Sequence, residues 1–261
     1  MTFARVIVAA GVLGLMKSLA LPMLIAGALL SPSSHAAHDD VDAVGQWLND
    51  RAMQLALQNS GPVTRSSASE GTFRVIPLAE LDAPEEVKQH FRAEVARSRA
   101  GVKRAARGDI PSQVEMIASL PKVVRSSAEL RGRLPSPPTN LQDSLLGVAE
   151  LIGMEPSGAL DGRSSSGLTR FFRLDGVGIV EFNEDNFRVP GTSIEVIAEL
   201  QNAKVNHTPA QLERISDDQG RSRASLMWAG ENKFYTLIAT GEGDVQRKAE
   251  ALQQIAAAVK D

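Results

Sequence analysis

Acidic and histidine side chains at regular spacing are the first candidates for chemistry in this chain. Glu86, His90 and Glu94 follow one another at intervals of four residues, so on a helix they would share one face and could ligate a divalent metal. Neither a cysteine nor a second nearby histidine completes the set. Lys88 and Arg97 lie close by, which favours a salt-bridged helix surface instead. We therefore predict no metal site.

A second acidic cluster, Glu181, Glu184 and Asp185, follows a predicted hairpin. Two carboxylates can serve as the acid and base of a glycosidase, and a loop of acids can bind Ca²⁺. The spacing fits no known calcium loop, so the sequence predicts exposed turn acids here.

Nucleophilic catalysis and cofactor binding have no signature in the sequence. No serine occupies a Gly-x-Ser-x-Gly turn, and Ser164-Ser165-Ser166 is typical of a loop. Gly176-Val177-Gly178 lacks the third glycine and the following helix of a dinucleotide-binding loop. We predict no catalytic residue, no cofactor and no metal.

Basic and aromatic residues provide the candidate contacts with a partner. Basic side chains along one predicted helix could meet anionic lipid, polysaccharide or protein, although the helix dipole also favours bases near a helix C-terminus. Two aromatic residues would lie either opposite each other or diagonally on a predicted hairpin, where cross-strand packing is the alternative to a ligand platform. The candidate partner surface comprises Arg97, Arg99, Lys103, Arg104, Trp228 and Tyr235.

Residues 1–36 have the composition of an export signal. Arg5 gives a short positive start, residues 6–30 are almost wholly apolar, and Ser34-His35-Ala36 places small residues before a cleavage site. The alternative is a retained anchor, because the apolar stretch is long enough to cross a bilayer. We predict cleavage, and therefore a periplasmic or secreted protein without a stable membrane span.

The net charge and the absence of cysteine limit which partners and which covalent links are expected. The chain has 28 basic and 31 acidic residues, and the signal contains Arg5, Lys17 and no acid, so 26 bases face 31 acids after cleavage, a net charge of −5. A mildly acidic chain argues against nucleic acid as the main partner. Because the chain has no cysteine, neither a disulfide nor a lipid-modified cysteine can form.

The region upstream of residue 135 is predicted to be mostly helical. Apolar residues recur at helical spacing from Val41 to Leu57. A second helix is expected to begin at Pro84 and to run to Arg107, and a shorter one covers residues 111–120. Residues 72–78 can form one short strand. Residues 135–167 are rich in Pro, Gly and Ser and predict a linker with one short helix over 141–152.

Residues 168–261 predict an antiparallel α+β module. A hairpin is expected around Asp175-Gly176, and further strands are expected at 194–200, 221–228 and 234–240, which makes about five strands in all. Pro209 is expected to interrupt the strand ladder. Asp244 is placed to cap a closing helix with an apolar stripe, outside which Lys248 is expected to lie. The predicted fold is α+β: an N-terminal helical region, then a sheet covered by a C-terminal helix, in one or two domains.

The end of the chain also resembles a known module. Leu226-Met227-Trp228 ends a polar-to-apolar strand, Phe234-Tyr235-Thr236-Leu237 begins an aromatic one, and a helix follows over 248–256. This order is similar to the strand–turn–strand–helix modules in the extracytoplasmic parts of some bacterial anti-sigma factors and related periplasmic or lipoprotein domains. The resemblance covers the last quarter of the chain and implies binding or sensing without catalytic residues.

These observations favour a non-enzymatic periplasmic binding or accessory protein of the bacterial cell envelope. Its partner is expected to be another envelope protein or a polymer. Two alternatives stay open: a secreted hydrolase whose site is assembled from scattered acids, and a subunit of an envelope secretion or conjugation assembly. The sequence leaves the oligomeric state open.

Overall fold

The computed structural model of the protein describes residues 43–51, 54, 71–120, 127–161, 164–188 and 193–260. The predicted signal, residues 1–36, lies outside these ranges. The described chain combines helices with a large, mostly antiparallel sheet and a C-terminal helix, so the predicted α+β class is confirmed. None of the described helices is long and apolar enough to span a membrane.

The helices and strands have the following bounds. The helices are α1 (43–51), α2 (Glu85–Arg99), α3 (Gln113–Ser119), α4 (Ser127–Arg131) and α5 (Val245–Ala258). The strands are β1 (Phe73–Ile76), β2 (Lys103–Arg104), β3 (Glu150–Asp161), β4 (Ser164–Leu174), β5 (Gly178–Asn186), β6 (Ile194–Ile197), β7 (Ala203–Val205), β8 (Thr208–Ser216), β9 (Arg221–Ala229) and β10 (Lys233–Glu242). Short 3₁₀ turns cover Leu78–Glu80, Leu145–Gly147 and Ala198–Leu200.

The main sheet has the strand order β2-β8-β9-β10-β5-β4-β3, with β7 also paired to β8. It contains eight strands in the described chain rather than about five. The largest difference is β3, which occupies residues 150–161 of the predicted linker 135–167 and overlaps the end of the helix predicted there. The Gly/Ser-rich stretch from Ser157 favoured a linker, but a strand at the sheet edge tolerates glycine and also Pro156. The register shifts between Leu151 and Gly153 and between Ser157 and Leu160 accommodate the irregularity.

Helix α5 covers one face of the main sheet. Asp244 caps it as predicted, since its carboxylate accepts a hydrogen bond from the amide of Arg247 at 2.7 Å. Leu252 and Ile255 pack on strand residues such as Leu226 in the largest core cluster. Lys248 is 1% exposed, so its predicted place outside the stripe is wrong. Its ammonium group donates to the backbone carbonyl of Glu242 at 2.6 Å, which satisfies one of its hydrogens inside the core.

The opposite face of the sheet is covered by a different layer. Strand β1 does not join the main sheet but pairs in parallel with β6, and residues of β6 pack with Phe187, Met227 and Phe234. Helices α1 and α2 add a smaller core around Phe91. The Arg51 guanidinium binds the buried Glu195 carboxylate at 3.0 and 3.2 Å, which fixes α1 against β6.

Helix α2 is shorter than predicted because the chain reverses after Arg99. The amide of Ala100 still donates to Ala96, and Gly101 then adopts a φ of +98°, a conformation that ends helices and suits glycine. Lys103 and Arg104 form β2, which pairs in parallel with β8.

The β7–β8 hairpin was not predicted. Pro209 was expected to interrupt the ladder, yet it lies within β8, opposite Lys204. The turn consists of Asn206 and His207, whose φ values of 46° and 72° lie in the left-handed region. Two such residues between antiparallel strands match the two-residue turn that fits the twist of a hairpin.

Candidate functional site

An apolar groove of about 490 Å³ lies at one end of the main sheet, where the β7–β8 turn, the β9–β10 turn and the end of α5 meet. Trp228 and Tyr235 lie directly opposite each other on β9 and β10, as predicted. Their rings are stacked, with centroids 4.9 Å apart and planes at 19°. The two residues are only 4% and 1% exposed, so they support the base of the groove and present little surface of their own. The groove is lined by Phe73, Val205, Trp228, Ala229, Tyr235 and Val259, with Asn206, Thr208, Gly230, Glu231 and Lys260 completing it.

A buried polar network adjoins the groove at Tyr235. The Tyr235 hydroxyl lies 3.2 Å from the hydroxyl of Thr139, which donates to the Glu184 carboxylate at 2.7 Å. The Thr139 amide, Arg170 and Lys233 also donate to Glu184, at 2.9, 2.8 and 2.7 Å. Glu184 is 3% exposed, so its prediction as an exposed turn acid is wrong. The Pro-rich segment that was expected to be a linker is therefore bound to the sheet.

The four basic residues of the predicted partner surface occupy different environments. Arg97 pairs with Glu94 on the same helix, and the Lys103 ammonium lies between Glu94 and Glu213, at 2.9 and 2.6 Å. Burial alone would lower the pKa of Lys103, but its hydrogen bonds to Glu213 and Glu94 raise that pKa above its ordinary value. Lys103 thus joins α2 and β2 to β8 and contributes little exposed surface.

Arg99 and Arg104 are the two basic residues of the predicted partner surface that are exposed and that, in the described chain, form no ion pair or side-chain hydrogen bond. Arg104 pairs with Ser216 at the far end of β8. The groove begins at Thr208, the first residue of the same strand. With a rise of about 3.3 Å per residue, these two surfaces are roughly 26 Å apart.

Glu181 and Glu155 lie on the face of the main sheet opposite α5. The sequence did not predict that these two carboxylates share a face. Glu181 is half-buried on β5, and burial, together with the nearby Glu155 carboxylate, raises its pKa to about 7. Burial also raises the pKa of Glu155 on β3. On the same face, the Asn183 amide donates to Ser157 and Thr169, at 2.9 and 2.7 Å. A carboxyl group with a pKa near 7 can both donate and accept a proton at neutral pH.

The third acid of that predicted turn cluster, Asp185, accepts a hydrogen bond from Ser166 at 2.5 Å on the adjacent strand. Glu181 itself follows Ile179 and Val180 in a strand pattern, which was the available signal that this acid would not be freely exposed. Glu155 had no such signal because its strand was read as a linker.

The helical Glu86–His90–Glu94 set forms no metal centre in the described chain, where no group of three His, Asp or Glu residues could hold a metal ion. Glu86 is exposed, whereas Glu94 is buried and bound by Lys103. The His90 ring instead packs edge-on against Phe91, with centroids 5.9 Å apart.

Comparisons with known proteins give no match: no family model matches the chain, and neither a curated protein nor a solved structure does. The similarity to anti-sigma-factor modules therefore stays a prediction. Function has to be argued from the groove, the polar network and the carboxylate pair themselves.

Proposed function

We propose that this chain is a non-enzymatic binding or accessory protein of the bacterial cell envelope, exported by its N-terminal signal, that docks an apolar segment of another envelope protein in the groove. The observation that carries the proposal is the groove itself. Its volume of about 490 Å³ falls within the range of roughly 300–1,000 Å³ that is typical of ligand pockets. Its lining is mainly apolar and aromatic, with a few polar groups such as Thr208.

The rigidity of the groove supports a role in binding. Trp228 and Tyr235 are held by mutual stacking, and the Tyr235 hydroxyl contacts Thr139 in the network around Glu184. Val259, next to the end of α5, is held near the β7–β8 turn, because Asn206 donates to its carbonyl at 3.4 Å. A surface that is already ordered loses less entropy when a partner binds.

The test is a pull-down of the tagged mature chain from a native periplasmic extract. The substitution Thr208→Lys places a charged chain in the groove without altering a core residue, and Thr208→Ser is its matched control. The double variant Arg99→Glu/Arg104→Glu reverses the exposed basic surface at the other end of β8. We expect Thr208→Lys to lose a partner that the control and the double variant retain.

The opposite pattern would place docking on the basic surface and contradict the groove proposal. A partner lost by none of the variants would contradict both surfaces. A partner captured as one defined complex would identify the chain as an assembly subunit, which is the more specific form of the same proposal.

A secreted hydrolase is the second candidate, and the Glu155–Glu181 pair favours it. The raised pKa values allow one carboxyl to stay protonated as a general acid near neutral pH. The test is hydrolysis of a panel of chromogenic glycosides and esters by the mature chain and by Glu181→Gln. Activity that Glu181→Gln loses, while it melts at no lower temperature than the wild type, would favour the hydrolase over the binding protein.

A further inference from the structure

Strand β3 ends the main sheet, and in the described chain it pairs on one side, with β4. It is 12 residues long. The outer edge of such a strand presents backbone N–H and C=O groups that can pair with an added strand. Strand addition to a sheet edge is a common way to bind an extended polypeptide.

The two faces of β3 differ in chemistry. Leu151 lies opposite Phe172 and Met154 opposite Arg170, which places both on the α5 side of the sheet. Leu151 is 44% exposed, and Val148, just before the strand, is 90% exposed. The α5 side of this edge is therefore apolar and open to solvent.

The other side of the edge is acidic. Glu150 lies opposite Arg173 and binds it at 2.9 Å, while Glu155 lies opposite Thr169. Within the described residues, neither Glu155 nor Glu181, which lies two strands away on β5, has a basic partner. All the ionisable residues of β3 are acids, since Asp161 is the third.

We propose that the β3 edge binds, by strand addition, an extended segment of a partner protein in which apolar and basic residues alternate. Side chains of a strand alternate between the two sheet faces. The apolar residues of the added strand would thus lie beside Leu151 and Met154, and the basic residues beside Glu150 and Glu155.

A second copy of this chain does not fit the same edge. Two antiparallel β3 strands would bring their acids together on one face, and like charges opposite each other destabilise a strand pair. Pro156 lacks an N–H, and the ladder shifts a second time after Ser157, in addition to the shift between Leu151 and Gly153. The added strand would therefore pair with the first half of β3, from Glu150 to Glu155.

This surface is separate from the groove. Strand β3 lies three strands away from β10 in the sheet, or about 14 Å at the usual strand spacing. Binding at β3 therefore does not depend on docking in the groove, and Thr208→Lys should leave binding at β3 unchanged.

The probe is a synthetic eight-residue peptide of alternating valine and lysine, titrated into the full mature chain by calorimetry. The control peptides alternate valine and glutamate, or hold the four valines and four lysines in two blocks. We expect only the alternating basic peptide to bind, and Glu155→Lys to weaken it by roughly tenfold, because like charges would then face each other. Glu86→Lys, an equal charge change on exposed α2, is expected to leave binding unchanged.

Hydrogen exchange provides the backbone evidence, since strand addition should slow exchange of amides in residues 150–155. The melting temperature of Glu155→Lys establishes that the variant is folded. Equal binding of the two basic peptides, or binding without slower exchange in β3, would overturn the proposal. So would dimerisation of the chain that Glu155→Lys abolishes, because the occupant would then be a second copy.

Discussion

Replacing Glu181 by glutamine tests how the free energy of unfolding depends on the protonation of this side chain. The side chain lies on β5 between Phe171 of β4 and Ile238 of β10, its neighbours in the adjoining strands. Burial and the Glu155 carboxylate raise the pKa of Glu181 from 4.5 to about 7. Glutamine has the same shape as a protonated glutamate but never carries a charge.

The sign of the effect follows from proton binding. Between pH 4.5 and 7 the folded protein holds a proton on Glu181 that the unfolded chain has released. The free energy of unfolding therefore falls as pH rises through this interval and is constant above it. A shift of this size corresponds to at most about 3 kcal/mol. Because Glu181 is only half-buried, solvent screening reduces the expected loss to about 1–2 kcal/mol.

Urea unfolding of the wild type and Glu181→Gln at pH 4.5, 6 and 8 measures this loss. The two proteins should be equally stable at pH 4.5, and the variant should be more stable by about 1–2 kcal/mol at pH 8. Glu155→Gln removes the neighbouring charge and should shrink the pH dependence in part, whereas Glu86→Gln on the exposed face of α2 should not change it. A variant that is less stable at pH 8 and keeps the wild-type pH dependence would refute the reasoning.

Three further substitutions test other parts of the fold by urea unfolding. Lys103→Met leaves two buried carboxylates without their shared partner and should lower the free energy of unfolding by about 3 kcal/mol. The control Arg104→Met should change it by no more than about 0.5 kcal/mol. Equal effects of the two substitutions would mean that the ion pairs of Lys103 contribute little to stability. His207→Gly relieves a left-handed φ of 72° and should stabilise the protein by about 1 kcal/mol; a urea midpoint below that of the wild type would contradict this. Asp244→Ala removes the cap of α5 and should cost about 1 kcal/mol, and an unchanged midpoint would show that water replaces the cap.

Local patterns predicted the parts of the fold that local physics controls. The turn at Asp175-Gly176, the cap at Asp244 and the short helix over 113–119 all depend on residues within a few positions of one another, and all are present. Strand β3 was not predicted, because its first residues fit the helix expected over 141–152 and its last residues fit a Gly/Ser-rich linker. An edge position, which only the neighbouring β4 provides, makes the glycines and Pro156 of β3 acceptable.

The candidate sites depended far more on distant contacts. The sequence by itself determined the chemical types present: an aromatic pair on one hairpin, a basic stretch after residue 97, and no cysteine. Tertiary structure decided which of those groups are accessible, because Lys103 meets Glu213 across 110 positions of sequence and Thr139 meets Glu184 across 45. It also buried Glu181, and burial, together with the charge of Glu155 from β3, raises the pKa of this strand acid to about 7. Sequence spacing predicts only local contacts. The burial of a side chain and its charged partners depend on distant residues that the fold brings together.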